Sequence, residues 1–255
     1  MAPEFSWGII AVCSTIVLAA AVVTGFSGFG FALIAVPLLS LFLDVKFGVP
    51  LVLLLAFFSV IILTLNKLRF LREPTVLIIL VGMILGITGG AHLLANFETS
   101  LLKRLLGVVV ILFGLHIFIR SRRERDPKHY DAVPSPVRMV TAFVVGVFSG
   151  VAGGLFGTSG PPLVVYVDHF AKDKTAFRAQ LLVLFLLHDV YRIGIYLRYS
   201  LINMEVVRFG LWMLPAVCIG LLAGSRMHFQ VDEKTFSRAV AIMLLISGVL
   251  LIIKR

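Results

Sequence analysis

Residues 7–43 read WGIIAVCSTIVLAAAVVTGFSGFGFALIAVPLLSLFL, 37 positions without one charged side chain. As unbroken helix the stretch would reach about 55 Å, whereas about 20 residues already cover a hydrocarbon core of roughly 30 Å. It is too long for one crossing and slightly short for two with a turn. A bend within the membrane is therefore expected, and Gly25-Phe-Ser-Gly-Phe-Gly30 is where glycine permits one. Shorter uncharged runs follow at 47–65, 74–97, 105–119, 139–167 and 209–225, histidines counted neutral.

The chain as a whole agrees. Of its 255 residues 60% are hydrophobic and 14% charged, with a mean hydropathy of +1.06, against about 25% charged in a soluble domain. The expected fold class is an all-α polytopic membrane protein. Met1 to Trp7 holds no basic residue and the apolar run exceeds a signal-peptide core, so the first segment is expected to stay in the mature protein. Cys13 and Cys218 are isolated and read as small buried hydrophobes rather than a redox pair. The net charge of +10 raises nucleic acid as a partner. The basic residues, however, sit in short loops, notably Arg120, Arg122, Arg123, Arg125 and Lys128, as the positive-inside rule expects of a membrane protein.

The sequence repeats itself. Residues 86–114 align without a gap on 220–248, matching Gly86 to Gly220, Gly90 to Gly224, Glu98 to Asp232, Arg104 to Arg238 and Gly114 to Gly248. Upstream the offset changes by five, which sets Gly25-Phe-Ser-Gly28 opposite Gly154-Leu-Phe-Gly157. The domains expected are a first transmembrane repeat at 1–120, a basic cytoplasmic linker at 121–137 and a second repeat at 138–255. Each half is read as a glycine-broken, re-entrant helical segment plus three transmembrane helices. Three crossings per half make the two repeats inverted, and inverted repeats bring both breaks to the bilayer midplane. Charge bias barely separates this from a single crossing at each break: 15 Lys and Arg inside against 8, or 14 against 9.

The chemistry is expected at the breaks. Non-helical backbone at membrane depth persists only where it is buried in protein or lines a wet cavity. A helix restarting after each break aims N–H groups and a positive dipole end at that space, which suits an anion. The candidate substrate-binding residues are Ser27, Gly28 and Gly30 at the first break and Gly157, Thr158, Ser159 and Gly160 at the second. Gly82, Gly86, Gly90, Gly220 and Gly224 are read instead as helix-packing positions. On residues 181–198, LLVLFLLHDVYRIGIYLR, Asp189 and Arg192 are three apart and His188 and Arg192 four apart, so one helical face can carry a compensated charge cluster. His188 and Arg192 join the substrate-binding set, and Asp189 is the candidate coupling residue. The competing reading is an interfacial cluster with Arg192 snorkelling to water. Asn66 is the only uncharged amide in the matching stretch of the first half. His92, His116, His169 and His228 show no metal-ligand spacing, and no phosphate loop or nucleophile motif is present. No catalytic residue, metal or cofactor is expected. An enzyme using His188 and Asp189 as acid and base is set aside for want of a nucleophile.

Gly25-Phe-Ser-Gly-Phe-Gly-Phe-Ala-Leu-Ile-Ala-Val-Pro-Leu-Leu39 and Ser149-Gly-Val-Ala-Gly-Gly-Leu-Phe-Gly-Thr-Ser-Gly-Pro-Pro-Leu163 resemble the paired glycine-rich motifs of the TauE/SafE family, often called sulfite exporters. The resemblance covers nearly the whole chain, with its duplication and basic middle loop. It implies secondary transport, in the export direction, of sulfite or organosulfonates such as sulfoacetate across a bacterial cytoplasmic membrane. The partners are then a small anion and the lipid bilayer, with no nucleic acid, and a homodimer stays open. An anion channel, or a transporter of another oxyanion or a carboxylate, is the alternative. Phe29 and Phe31 stand where many members are richer in glycine, which implies a smaller backbone contribution from the first break.

Overall fold

A computed structural model describes residues 7–64, 74–122, 135–170, 174–227 and 233–253. They form ten helices and no strand: α1 Trp7–Ser27, α2 Phe31–Leu39, α3 Val45–Thr64, α4 Pro74–Asn96, α5 Thr99–Arg122, α6 Ser135–Phe156, α7 Gly160–Phe170, α8 Lys174–Arg198, α9 Met204–Met227 and α10 Glu233–Ile253. Seven of them (α1, α3, α4, α5, α6, α8 and α9) contain a stretch long and apolar enough to cross a membrane, and a shorter apolar helix spans Arg238–Ile253 within α10. The chain is a multi-pass helical membrane protein. Asn66, His228 and the linker residues Arg123, Arg125 and Lys128 lie outside the described residues.

Both breaks fall where the glycines stand, and the arms they separate are unequal. The first break divides its segment into 21 and 9 residues, the second into 22 and 11. At 1.5 Å per residue, the leading arm of each is of membrane length by itself and the trailing arm covers about half of a hydrocarbon core. The backbone explains the position of each stop. Gly28 and Gly157 have φ of 83° and 73°, the left-handed conformation that ends helices just past their last turn and that a Cβ disfavours. Their amides bond back to Thr24 O at 2.7 Å and Gly153 O at 2.8 Å, so the repeat extends to hydrogen-bonding detail.

Two compact units emerge from the packing, and they do not follow the repeat boundary. One holds α1, α2, α3 as far as Leu55, α5, α9 and α10; the other holds α3 from Ala56, α4, α6, α7 and α8. In the first unit α1 packs on α9 and α5 on α10; in the second α4 packs on α6. Under the sequence repeat α1 corresponds to α6 and α4 to α9, so the α1–α9 pair is the counterpart of the α4–α6 pair. Each leading arm thus pairs with the penultimate helix of the opposite half.

Glycine decides both pairings. A Cβ on Gly82 would stand 2.5 Å from Phe143 O, and one on Gly86 or Gly90 would overlap the carbonyls of Val147 or Val151. Gly25, Gly220 and Gly224 meet α9 or α1 backbone in the same way, whereas Gly89, off the seam, faces nothing within 4 Å. Lipid is as apolar as leucine, so association within a membrane rests on close backbone approach rather than hydrophobic burial. The packing role expected of these glycines is what the structure assigns them.

Candidate functional site

The charge cluster of α8 is enclosed by protein. His188, Asp189 and Arg192 are 1%, 5% and 1% exposed. His188 stands at the middle of the membrane-length stretch Phe177–Arg198. An interfacial arginine would extend to water; this one turns inward against α6. Its Nη1 donates to Gly153 O at 2.8 Å, and Tyr196 Oη, one turn further along α8, donates to Gly154 O at 2.7 Å. These carbonyls belong to the last turn of α6, where a cation is favoured by the helix dipole; Gly153 O, which also accepts from the Gly157 amide at 2.8 Å, takes a second hydrogen bond here. One role of Arg192 is therefore to close the end of α6, ahead of the break. Its guanidinium carbon lies 5.6 Å from the Tyr196 ring centre, within cation–π range.

The ion pair beside it is loose. Arg192 Nη2 is 3.4 Å from Asp189 Oδ1, beyond the roughly 2.7–2.9 Å of a strong charge-assisted bond. The same oxygen lies 3.0 Å from His188 Nδ1, and His188 Nε2 lies 3.0 Å from Ser159 Oγ. An ionised carboxylate only accepts, so Nδ1 carries the hydrogen, and on a neutral ring Nε2 accepts from the serine hydroxyl. The relay Ser159–His188–Asp189 joins the start of α7 to the middle of α8. Gly153 makes room for it, because a Cβ there would overlap His188 Nε2 and come within 2.7 Å of Ser159 Oγ.

Three buried polar atoms of this region have no hydrogen-bond partner among the described residues: Arg192 Nε, Thr158 Oγ1 and Ser149 Oγ. A buried polar atom is normally paired. One guanidinium N–H and one threonine hydroxyl, both beside the break, therefore remain available to an oxyanion. Gly160 adds open space, with nothing within 4 Å of where its Cβ would stand.

Other candidates behave differently. Ser27 Oγ lies 2.8 Å from Val23 O and 2.6 Å from Phe29 O; its single hydrogen serves the backbone of the first break and is not free for a ligand. Ser27, Gly28 and Gly30 belong to the first unit, the α8 cluster to the second. Backbone donors are distributed against expectation. Helix α7 opens Gly160-Pro161-Pro162, and two prolines in the first turn remove two of the four free N–H groups of a helix start. Helix α2 opens Phe31-Ala-Leu after Gly30, whose φ is 99°, and keeps all of them. The second break thus offers side-chain donors and the first backbone donors.

Two other polar features are less suited to an anion. His92 Nδ1 is 3.3 Å from Tyr199 Oη and 3.2 Å from Asn96 Nδ2, a satisfied link between α4 and α8. A cavity of about 10 Å³ lined by Thr75, Arg138, Tyr166, Phe170 and Gln180 has room for about one water. No group of three or more His, Cys, Asp or Glu positioned for a metal occurs among the described residues.

With this geometry in place, comparison with known proteins is informative. The family model for the sulfite exporter TauE/SafE matches residues 13–251. The chain belongs to the TauE/SafE family. That family is one of membrane transporters, not of enzymes. A probable sulfite/organosulfonate exporter TauE of Cupriavidus necator is 26% identical to this TauE/SafE chain over 168 residues, covering 63% of the chain and 60% of the relative. The alignment therefore spans less than two thirds of that curated protein. No solved structure matches the chain.

Proposed function

We propose that this protein is a secondary transporter that exports small sulfur-containing anions, sulfite or organosulfonates such as sulfoacetate, across a bacterial cytoplasmic membrane. The observation that carries the reading is Arg192: a buried guanidinium in a membrane-length helix, held at the end of α6, loosely paired and with Nε unassigned. Even on insertion-based scales an arginine at the bilayer centre costs about 2.5–3.5 kcal/mol, and one tie to a carbonyl and one weak ion pair do not use its whole fork. A planar oxyanion does. Family membership and the name of the C. necator relative support the substrate class.

In this reading the anion binds at the second break, against Arg192 and Thr158 Oγ1. Gly157 and Gly160 allow close approach, Ser159 and His188 frame the site, and Asp189 yields the guanidinium when the anion arrives. In the first half the equivalent position is served by the N–H groups that open α2, which the turn at Gly28 and Gly30 leaves free of side chains, while Ser27 holds the backbone of that break. The halves, 1–120 and 138–255, are inverted about the linker 121–137, with α2 and α7 as short re-entrant arms and the linker cytoplasmic. Single-cysteine labelling in a background lacking Cys13 and Cys218 is expected to place both termini outside; a terminus reached only from the cytoplasm removes the inverted arrangement.

The transport reading is tested by counterflow in proteoliposomes with sulfite, sulfoacetate, thiosulfate, sulfate and carboxylates. Saturable exchange of sulfite or a sulfonate is expected, with Thr158→Val at least several-fold weaker for the loss of one hydroxyl donor. Conductance without saturation or exchange would instead mark an anion channel.

A further inference from the structure

We propose that His188 takes up one proton with each monovalent anion that enters the site, and that the proton resides on Nε2 facing Ser159. This rests on the transport reading above and identifies the proton carrier as His188 rather than the coupling carboxylate.

The argument is a charge count in an enclosed place. With His188 neutral, Arg192 and Asp189 sum to zero, and all three side chains are buried. A sulfonate brings one negative charge into surroundings where an uncompensated ion costs several kcal/mol. Compensation has to come from a group that changes charge. Arg192 cannot, because a guanidinium keeps its proton. Asp189 accepts from His188 Nδ1 and faces Arg192 Nη2 through the same Oδ1; protonating it would weaken both contacts. His188 Nε2 has the lone pair. Its partner is a hydroxyl, and a hydroxyl can turn from donor to acceptor by rotating its hydrogen.

The Ser159–His188–Asp189 relay therefore stays hydrogen-bonded in both protonation states without moving a heavy atom. The step balances: imidazole plus one proton from water gives imidazolium, its charge cancels that of the anion, and release reverses both. Asp189 is placed to stabilise the imidazolium through its contact with Nδ1 at 3.0 Å, as a carboxylate on that nitrogen does for a histidine base. The other helices packed on α8 bring no competing charge to the ring among the described contacts. From α6 it meets the backbone at Gly153, from the start of α7 it meets Ser159, and α4 bonds α8 at Thr88–Tyr191 and His92–Tyr199.

The test uses the full chain in detergent and methanesulfonate, a monoanion throughout the working range. Binding is measured by calorimetry between pH 5 and 9 in buffers of different ionisation enthalpy, which yields the protons taken up per anion. Wild type is expected to take up about one proton at the alkaline end, none at the acid end, and to lose affinity about tenfold per pH unit above the ring's titration. His188→Gln is expected to bind more weakly, with no proton uptake and no pH dependence. Asp189→Asn leaves the empty site positive, so the anion itself completes neutrality: proton uptake should vanish while affinity at high pH rises. Should His188→Gln not fold, the Asp189→Asn result carries the test with wild type. Methanesulfonate binding without proton uptake in wild type, or uptake persisting in both variants, overturns the proposal. Sulfonate counterflow in that same preparation would leave the transport reading standing; no binding and no counterflow would remove both.

Discussion

Gly153→Ala should reduce transport by up to about thirtyfold while leaving the protein inserted, at a cost in stability of about 1–3 kcal/mol. A single methyl group at this position overlaps His188 Nε2 and presses on Ser159 Oγ. The ring is buried and tied to Asp189 at Nδ1, so it cannot swing aside as an exposed side chain would. Two effects oppose each other in stability. Alanine is the better helix former in α6 by about 1 kcal/mol, and overpacking plus a broken buried hydrogen bond costs about 2–4 kcal/mol. The net loss of about 1–3 kcal/mol falls on the geometry of the relay rather than on the helix. A disturbance of about 2 kcal/mol in the population of the competent arrangement corresponds to a factor of up to about 30. Thermal unfolding of the purified protein together with sulfonate counterflow measures both. Wild-type transport by Gly153→Ala would mean that the Ser159–His188 contact has no part in the cycle.

Gly153 was not legible from the sequence as a site residue, and the reason is physical. Spacing along one helix shows which residues share a face, and Asp189 and Arg192 at three apart were read that way; the structure brings them to 3.4 Å. What lies across from that face depends on tertiary packing. Gly153 and Gly154 are 39 and 42 residues from the side chains that bond them, and Ser159 is 29 from His188. The one local hint was Tyr196, four residues beyond Arg192 and so on the same face. The breaks were placed correctly for an incomplete reason. Flexibility alone does not fix their positions: Gly28 and Gly157 supply the left-handed backbone that ends α1 and α6. The prolines of Gly160-Pro-Pro162 could have been counted as lost donors from the sequence itself, which would have moved the weight from backbone to Thr158 and Arg192.

Membrane character was legible because composition determines it, and so were the packing glycines, whose spacing of four marks one helix face. Their partners were not. The same spacing in α4 and α9 fits any small-residue seam, and only the fold shows that α4 meets α6 and α9 meets α1. The repeat therefore described the chain without describing its compact units, since each leading arm packs on a helix from the other half.

Replacing Arg192 separates its two roles, closing α6 and holding the anion. Arg192→Ala removes the donor to Gly153 O and strands Asp189, and breaking a buried pair in this way costs about 3–5 kcal/mol. Poor folding of that variant alone would say nothing about the anion. Arg192→Lys keeps the charge but replaces the fork by a point charge that cannot reach Gly153 O, Asp189 and a ligand together. Two charge-assisted bonds at about 1.5 kcal/mol or more each predict sulfonate affinity about 100-fold weaker, with the protein still inserted. The decisive variant removes both charges. Arg192→Leu with Asp189→Leu leaves no buried ion, and replacing a buried pair by apolar residues is often neutral or stabilising. It is expected to recover the thermal stability lost in Arg192→Ala, apart from the contribution of the Gly153 cap, and to transport no sulfonate. Recovery of stability together with counterflow near the wild-type rate would reduce Arg192 to a helix-closing residue and move the anion site to the N–H groups of α2.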